Sequence, residues 1–112
     1  MSQRTLQAGQ QRLVTTRNAA FQQWQTLLTN RTKRHRAGEL LVQGVRPVTL
    51  ALDSGWQIRA VLTDGDARLT QWASEALSKA RHAGAVHYKL ASELIAELGE
   101  KEDGAPEVLL VV

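Results

Sequence analysis

A chain of 112 residues that is 43% hydrophobic and 22% charged has room for one domain with its core, and too much apolar content for wholesale disorder. It has no cysteine, which excludes a disulfide scaffold, a thiolate metal site and cysteine nucleophilic chemistry. The net charge of +3 hides a division: residues 1–46 carry eight Lys/Arg against the single acid Glu39, a balance of +7, and residues 47–112 carry six against ten, a balance of −4, as expected when one end of a chain faces a polyanion.

Residues 1–14 show no sustained hydrophobic period and are expected to belong to a flexible polar tail, residues 1–15, ahead of one domain over residues 16–112. Phe21, Trp24, Leu27 and Leu28 share a helical face, and Thr16 is the expected N-cap. The run Arg31-Thr32-Lys33-Arg34-His35-Arg36 follows, with four formal positives in six positions. Leu40-Leu41-Val42, ended by Gly44, has the length of a buried strand. Pro47 then falls in the first turn of a helix that places Val48, Ala51 and Leu52 on one face before Gly55. Residues 56–62 alternate and close on an apolar pair, so a strand is expected, and Thr63-Asp64-Gly65-Asp66 is turn chemistry. Leu69, Trp72, Ala73, Ala76, Leu77 and Ala80 mark the clearest helix, closed by Gly84. Residues 85–90 predict a third strand. Ser92 is the expected cap of a helix carrying Leu94, Ile95 and Leu98, and Val108-Leu109-Leu110-Val111-Val112 is an apolar final strand.

The order α-β-α-β-α-β-α-β predicts a compact three-layer α/β/α sandwich, with helices on both faces of a mostly parallel sheet. An apolar strand at the end of a chain gains no solubility and invites edge pairing, so the chain is expected to be a domain cut from a longer protein.

Catalytic patterns are missing: there is no Gly-x-Gly-x-x-Gly, no Walker-type loop and no His-Glu-x-x-His. His35, His82 and His87 fall in a basic loop, at a helix end and in a strand, too scattered for a metal set. Asp64 and Asp66 read as a turn rather than a catalytic pair. No catalytic, cofactor-binding or metal-ligating residue is assigned. Trp24 and Trp72 lie on apolar helical faces, whereas Trp56, at the start of its expected strand, is the tryptophan placed to stack on a base. No apolar stretch approaches the ~20 residues that cross a bilayer, and the polar start lacks a secretion-signal core, so a cytoplasmic protein is expected, without membrane partners.

The stretch Arg31-x-Lys33-Arg34-x-Arg36-x-Gly38-Glu39-Leu40-Leu41-Val42-Gln43-Gly44, followed by a helix with Val48 and Leu52, resembles the start of the substrate-binding domain of SpoU-class (TrmH-like) RNA methyltransferases. Later elements agree: a strand ending Val61-Leu62-Thr63-Asp64, a helix opening near Ser92-Glu93-Leu94, and a loop with Pro106 before a valine-rich strand. The resemblance covers residues 18–112. It departs from the family at Gln43, where the family's strand ends Glu-Gly, and after Pro106, where Glu107 and Val108 stand in place of Gln-Gly. The resemblance implies a fold like that of the L30e/L7Ae ribosomal proteins, with rRNA or tRNA as the partner. It also implies a parent enzyme that transfers a methyl group from S-adenosylmethionine to a ribose 2′-oxygen. Cofactor and transfer residues would belong to a following knotted domain absent from this chain, through which the parent would form a homodimer.

Beside the resemblance stands a physical argument. Arginine presents a planar fork that matches phosphate oxygens bidentately, so Arg31, Lys33, Arg34 and Arg36, with His35 among them, are the expected RNA contacts. Gln43, before the Gly44 turn, can offer a donor and an acceptor to a base edge or a 2′-hydroxyl, or else cap the next helix or make a loop contact. Arg46 starts a helix, where a cation is disfavoured unless an anion is near, and with Gln43 and Gly44 it completes the expected RNA contacts. The expected role is an RNA substrate-binding domain that positions structured RNA for a partner domain. The alternatives are a stand-alone ribosomal-type RNA binder and a protein interaction or dimerisation module whose basic run is merely solvated.

Overall fold

Strands β3 (Ala60–Asp64) and β5 (Val108–Val111) are buried along nearly their whole lengths on both faces, as continuous apolar runs must be in a sheet that is covered twice. The computed structural model describes residues 11–29, 38–99 and 107–112. Among these, β1 (Gln11–Val14), β2 (Leu41–Gln43) and β4 (Val86–Leu90) complete a five-stranded sheet in the order β1-β4-β3-β5-β2. Helices α1 (Ala19–Thr29) and α4 (Ser92–Leu98) cover one face, where Phe21, Trp24, Leu27, Leu94 and Ile95 pack on Ala60, Leu62, Leu109 and Val111. Helices α2 (Val45–Asp53) and α3 (Gln71–His82) cover the other, where Val48, Ala51, Ala73, Ala76 and Ala80 meet Val61, Val108 and Leu110. The three-layer sandwich expected from the sequence is present.

The sheet is mixed rather than mostly parallel. β1, β4 and β3 run parallel, whereas β5 is antiparallel to both β3 and β2. The length of α4 explains this. Its seven residues span about 10 Å, too little to carry the chain back along β4. The Leu98 carbonyl instead accepts from Gln43 Nε2, at the edge where β1, β2, β3 and β4 all end, here termed the carboxyl edge. β5 starts from that edge, with Val108 opposite Thr63.

Several local expectations are corrected. Gln11–Val14, expected within the polar tail, pairs with β4 as β1, and Arg12 lies over the Tyr88 ring with its guanidinium carbon 6.0 Å from the centroid. Only Val14 of that strand is buried, so it carries no period to read. The cap of α1 is Asn18, whose Oδ1 accepts from Phe21 N at 3.0 Å, rather than Thr16. Residues 56–59 lead into a strand rather than form one: β5 ends opposite Ala60, and Arg59 N donating to the Val111 carbonyl at 2.8 Å is the last bond of that pairing. Ala91, not Ser92, occupies the cap position of α4. Ser92 instead donates its hydroxyl to Asp64 Oδ1 (2.7 Å) and its N–H to Asp66 Oδ2 (3.0 Å), while Asp66 N donates to Asp64 Oδ1 (2.9 Å). The two aspartates thus make the expected turn and also fasten it to α4.

One polar pair is buried on the face covered by α2 and α3. Thr63 Oγ1 and His87 Nε2 lie 2.8 Å apart, and His87 Nδ1 has no hydrogen-bond partner. Burial, with the charges of Arg81 and Lys89, holds the His87 imidazole down to about 4. An unfolded chain takes up this proton near pH 6.5 and the folded chain resists until about pH 4. Stability is therefore complete above pH 6.5 and falls between these values, by roughly 3 kcal/mol in full. Replacing His87→Gln should flatten this dependence, read as urea midpoints between pH 7 and pH 4. An equal slope in the variant would assign the acid sensitivity to other groups.

Candidate nucleic-acid interface

Among the described residues, all four helices begin where a strand has just ended, at the carboxyl edge. The first turn of a helix leaves backbone N–H groups without intrahelical partners and carries the positive end of the dipole. Three of these starts are satisfied by the protein's own oxygens. Asn18 serves α1. At α3, Thr70 Oγ1 accepts from Ala73 N (3.2 Å), while Glu107 accepts from Thr70 N (3.3 Å) and from the Thr70 hydroxyl (2.9 Å). At α4, Asp66 accepts from Ser92 N.

α2 differs. Its cap is Gly44, which has no side chain to offer, and its first turn holds no acid. Pro47 has no N–H, and the Val48 N–H is taken by the Gly44 carbonyl at 3.0 Å. The N–H groups of Val45 and Arg46 remain, without partners inside the helix and on residues that are both exposed. The Arg46 guanidinium pairs with no carboxylate among the described residues. Two backbone donors, a guanidinium and a helix dipole at one exposed point form a receptor for an anion such as a phosphate.

Of the eight residues expected to meet RNA, the structure describes Gln43, Gly44 and Arg46. Arg31, Lys33, Arg34, His35 and Arg36 lie outside the described residues. Gln43 is half-buried and its Nε2 donates to the Leu98 carbonyl at 3.4 Å, so it closes the C-terminus of α4. Gln43 thus does not cap the next helix, as the capping alternative had it, but meets the end of a distant one. Gly44 and Arg46 come together at the start of α2. The cationic run attaches at the other end of β2. α1 closes at Thr29 just before it, and Glu39 and Leu40 just after it are fixed at the amino edge of the sheet. There Leu40 and Val112 exchange N–H···O bonds of 3.1 and 3.0 Å, and Arg59 Nη1 donates to Glu39 Oε2 at 3.3 Å. β2 is an outer strand of three residues, so roughly 10 Å separate its two ends.

A search by residue type misses the Val45 N–H, since backbone carries no signature of its own. The available signal was Gly44 followed three residues later by Pro47, which removes both the side-chain cap and one competing N–H. Among the described residues no group of His, Asp or Glu is placed to hold a metal ion, and no helix is long and apolar enough to cross a membrane.

Gly44 holds φ 100° and ψ 149°, and a Cβ there would stand 3.3 Å from Pro47 Cδ. Gly44→Ala should therefore cost roughly 1–3 kcal/mol in denaturant unfolding. A neutral effect would show that the α2 start can rearrange.

Comparison with known proteins agrees with this architecture. The SpoU L30e-like domain family matches residues 18–110. A 23S rRNA (uridine(2479)-2′-O)-methyltransferase of Streptomyces viridochromogenes is 52% identical over 101 residues, which make up 90% of this chain and 34% of that protein. The crystal structure of the SpoU methyltransferase AviRb from Streptomyces viridochromogenes, in complex with AdoMet, matches with a TM-score of 0.76 and 52% identity over 86% of this chain and 35% of that one. An rRNA methyltransferase of Sinorhizobium meliloti matches with a TM-score of 0.73 at 19% identity, over 92% of this chain and 37% of that one, a likeness of fold alone. The chain spans about a third of the length of these relatives. With its fold, its element order and the match over residues 18–110 in agreement, the chain belongs to the SpoU L30e-like domain family.

Proposed function

We propose that this chain is the RNA substrate-binding domain of a SpoU-class rRNA ribose 2′-O-methyltransferase, holding structured RNA while a further domain transfers the methyl group. The observation that carries the reading is the open start of α2, where Gly44, Val45 and Arg46 offer donors and positive charge and no side chain among the described residues caps the helix. The relative that is 52% identical acts on a uridine of 23S rRNA, which makes rRNA the first substrate to test, ahead of tRNA. A ribose-phosphate chain laid along the outer edge of β2 would meet Arg46 at one end and the root of the cationic run at the other. Binding of this kind contributes to catalysis by position, converting an encounter into an oriented complex.

The methyl donor is not assigned to this chain. An open groove of about 650 Å³ between α1 and α4 is lined by Arg17, Gln22, Gln25, Thr26, Leu28 and Glu97. Arg17 and Glu97 pair across it, and the Arg17 hydrogen bond holds the Glu97 carboxyl below its ordinary range. Among the described residues no aromatic ring lines the groove, and its carboxylate is already engaged by Arg17, so the groove offers little to an adenine or a sulfonium. The donor and the transferring residues are assigned to the further domain, which on this reading also carries the homodimer contact. A cytoplasmic enzyme follows from the rRNA substrate.

Binding of a 23S rRNA fragment, measured by filter retention over a range of salt, tests the reading. Replacing Arg31, Lys33, Arg34 and Arg36 together by Ala should weaken binding without unfolding the chain. It should also remove about 3 from the slope of log K against log salt, and Arg46→Ala about 0.7 more. Affinity that neither change alters at low salt would overturn the RNA assignment and favour a protein interaction module.

A further inference from the structure

We infer that Trp56 is a stacking platform for an unpaired nucleotide of the bound RNA, an inference that rests on the RNA-binding reading above. The three tryptophans have separate fates. Trp24 is 5% exposed and meets the Tyr88 ring edge-on, with centroids 4.9 Å apart. Trp72 is half-buried, and its indole N–H donates to Thr49 Oγ1 at 3.3 Å. Trp56 is 49% exposed, although burying an aromatic ring is among the larger gains open to a side chain.

The backbone on either side of this indole is hydrogen-bonded into the fold. Gly55, at φ 77°, closes α2, and Trp56 N donates to the Ala51 carbonyl at 3.4 Å. Two residues on, Ile58 is 3% exposed in the core, and Arg59 N donates to the Val111 carbonyl at 2.8 Å. A ring carried on a backbone that is held on both sides gives up less freedom when a base lies on it, which favours stacking.

The charge at this edge suits a nucleotide. Glu39 and Asp53, which would repel phosphate, are paired with Arg59 (3.3 Å) and Lys79 (3.6 Å). Arg36, in the cationic run, precedes Glu39 by three residues in sequence. Glu39 is itself bonded to the arginine three residues after Trp56. One short stretch of RNA can therefore set phosphates against the cationic run and a base against the indole. Every base has a π-face, so the site selects for an unpaired nucleotide rather than for a sequence.

The test titrates the whole chain with a single-stranded oligoribonucleotide and with a duplex, following tryptophan fluorescence and affinity. The single strand should quench the emission of the wild-type chain. Trp56→Ala should abolish the quenching and weaken single-strand binding roughly five- to a hundredfold, with Trp56→Phe retaining most of the affinity and duplex binding unchanged. If the alanine variant of the cationic run loses affinity while Trp56→Ala binds and quenches as the wild type does, stacking is overturned and the RNA-binding reading stands. If the cationic variant binds unchanged, both fall. A concentration-dependent blue shift of the RNA-free chain, removed by Trp56→Ala with RNA affinity intact, would assign the indole to a protein contact and overturn the inference.

Discussion

β5 is wholly apolar and its neighbour β3 opens on Ala60-Val61-Leu62, all buried, so both faces of the sheet must be shielded from water. That requirement places α1 and α4 on one side and α2 and α3 on the other. Each helix follows a strand that ends at the same edge, so the positive ends of all four dipoles gather there. Hydrophobic burial thereby sets the electrostatics of one rim of the molecule. The mixed sheet comes from the same economy of length, since a seven-residue α4 cannot span what β4 spans and returns the chain to that rim.

What distinguishes α2 is how the chain answers its own unsatisfied donors. Asn18, Thr70 with Glu107, and Asp66 supply oxygens to the other three helix starts. At α2 the combination of Gly44 and Pro47 supplies none, and Arg46 adds a cation. Several described acids of the second half of the chain serve as internal ties: Asp64 and Asp66 hold Ser92, and Glu97 holds Arg17. The division of charge along the sequence thus reappears as acids turned to internal ties and a helix start left open to anions.

Helical faces could be read directly because their spacing repeats, as from Trp72 through Ala80. β1 could not, since an outer strand with one buried residue leaves no period. The direction of β5 is equally silent in its own residues, because it depends on where α4 delivers the chain. Gln43 was ambiguous for a chemical reason: an amide both donates and accepts, and its partner, the Leu98 carbonyl, lies 55 residues away in sequence. Gly44 and Arg46 could be marked from sequence, but their joint role rests on backbone N–H groups that residue types do not announce. The buried pair of Thr63 and His87 was hidden by ordinary strand alternation, and only the register that sets Val61 beside His87 shows which face it occupies.

The central claim is that ribose-phosphate chains dock along β2, from the start of α2 to the root of the cationic run. An ¹⁵N-labelled chain titrated with a 23S rRNA fragment tests it residue by residue through amide chemical shifts. The account predicts that Gly44, Val45 and Arg46 shift most, together with residues 38–40, while the interior of α3 around Ala76 and Ala80 stays still. Shifts centred on the outer face of α3, with Val45 and Arg46 unmoved at saturation, would contradict it.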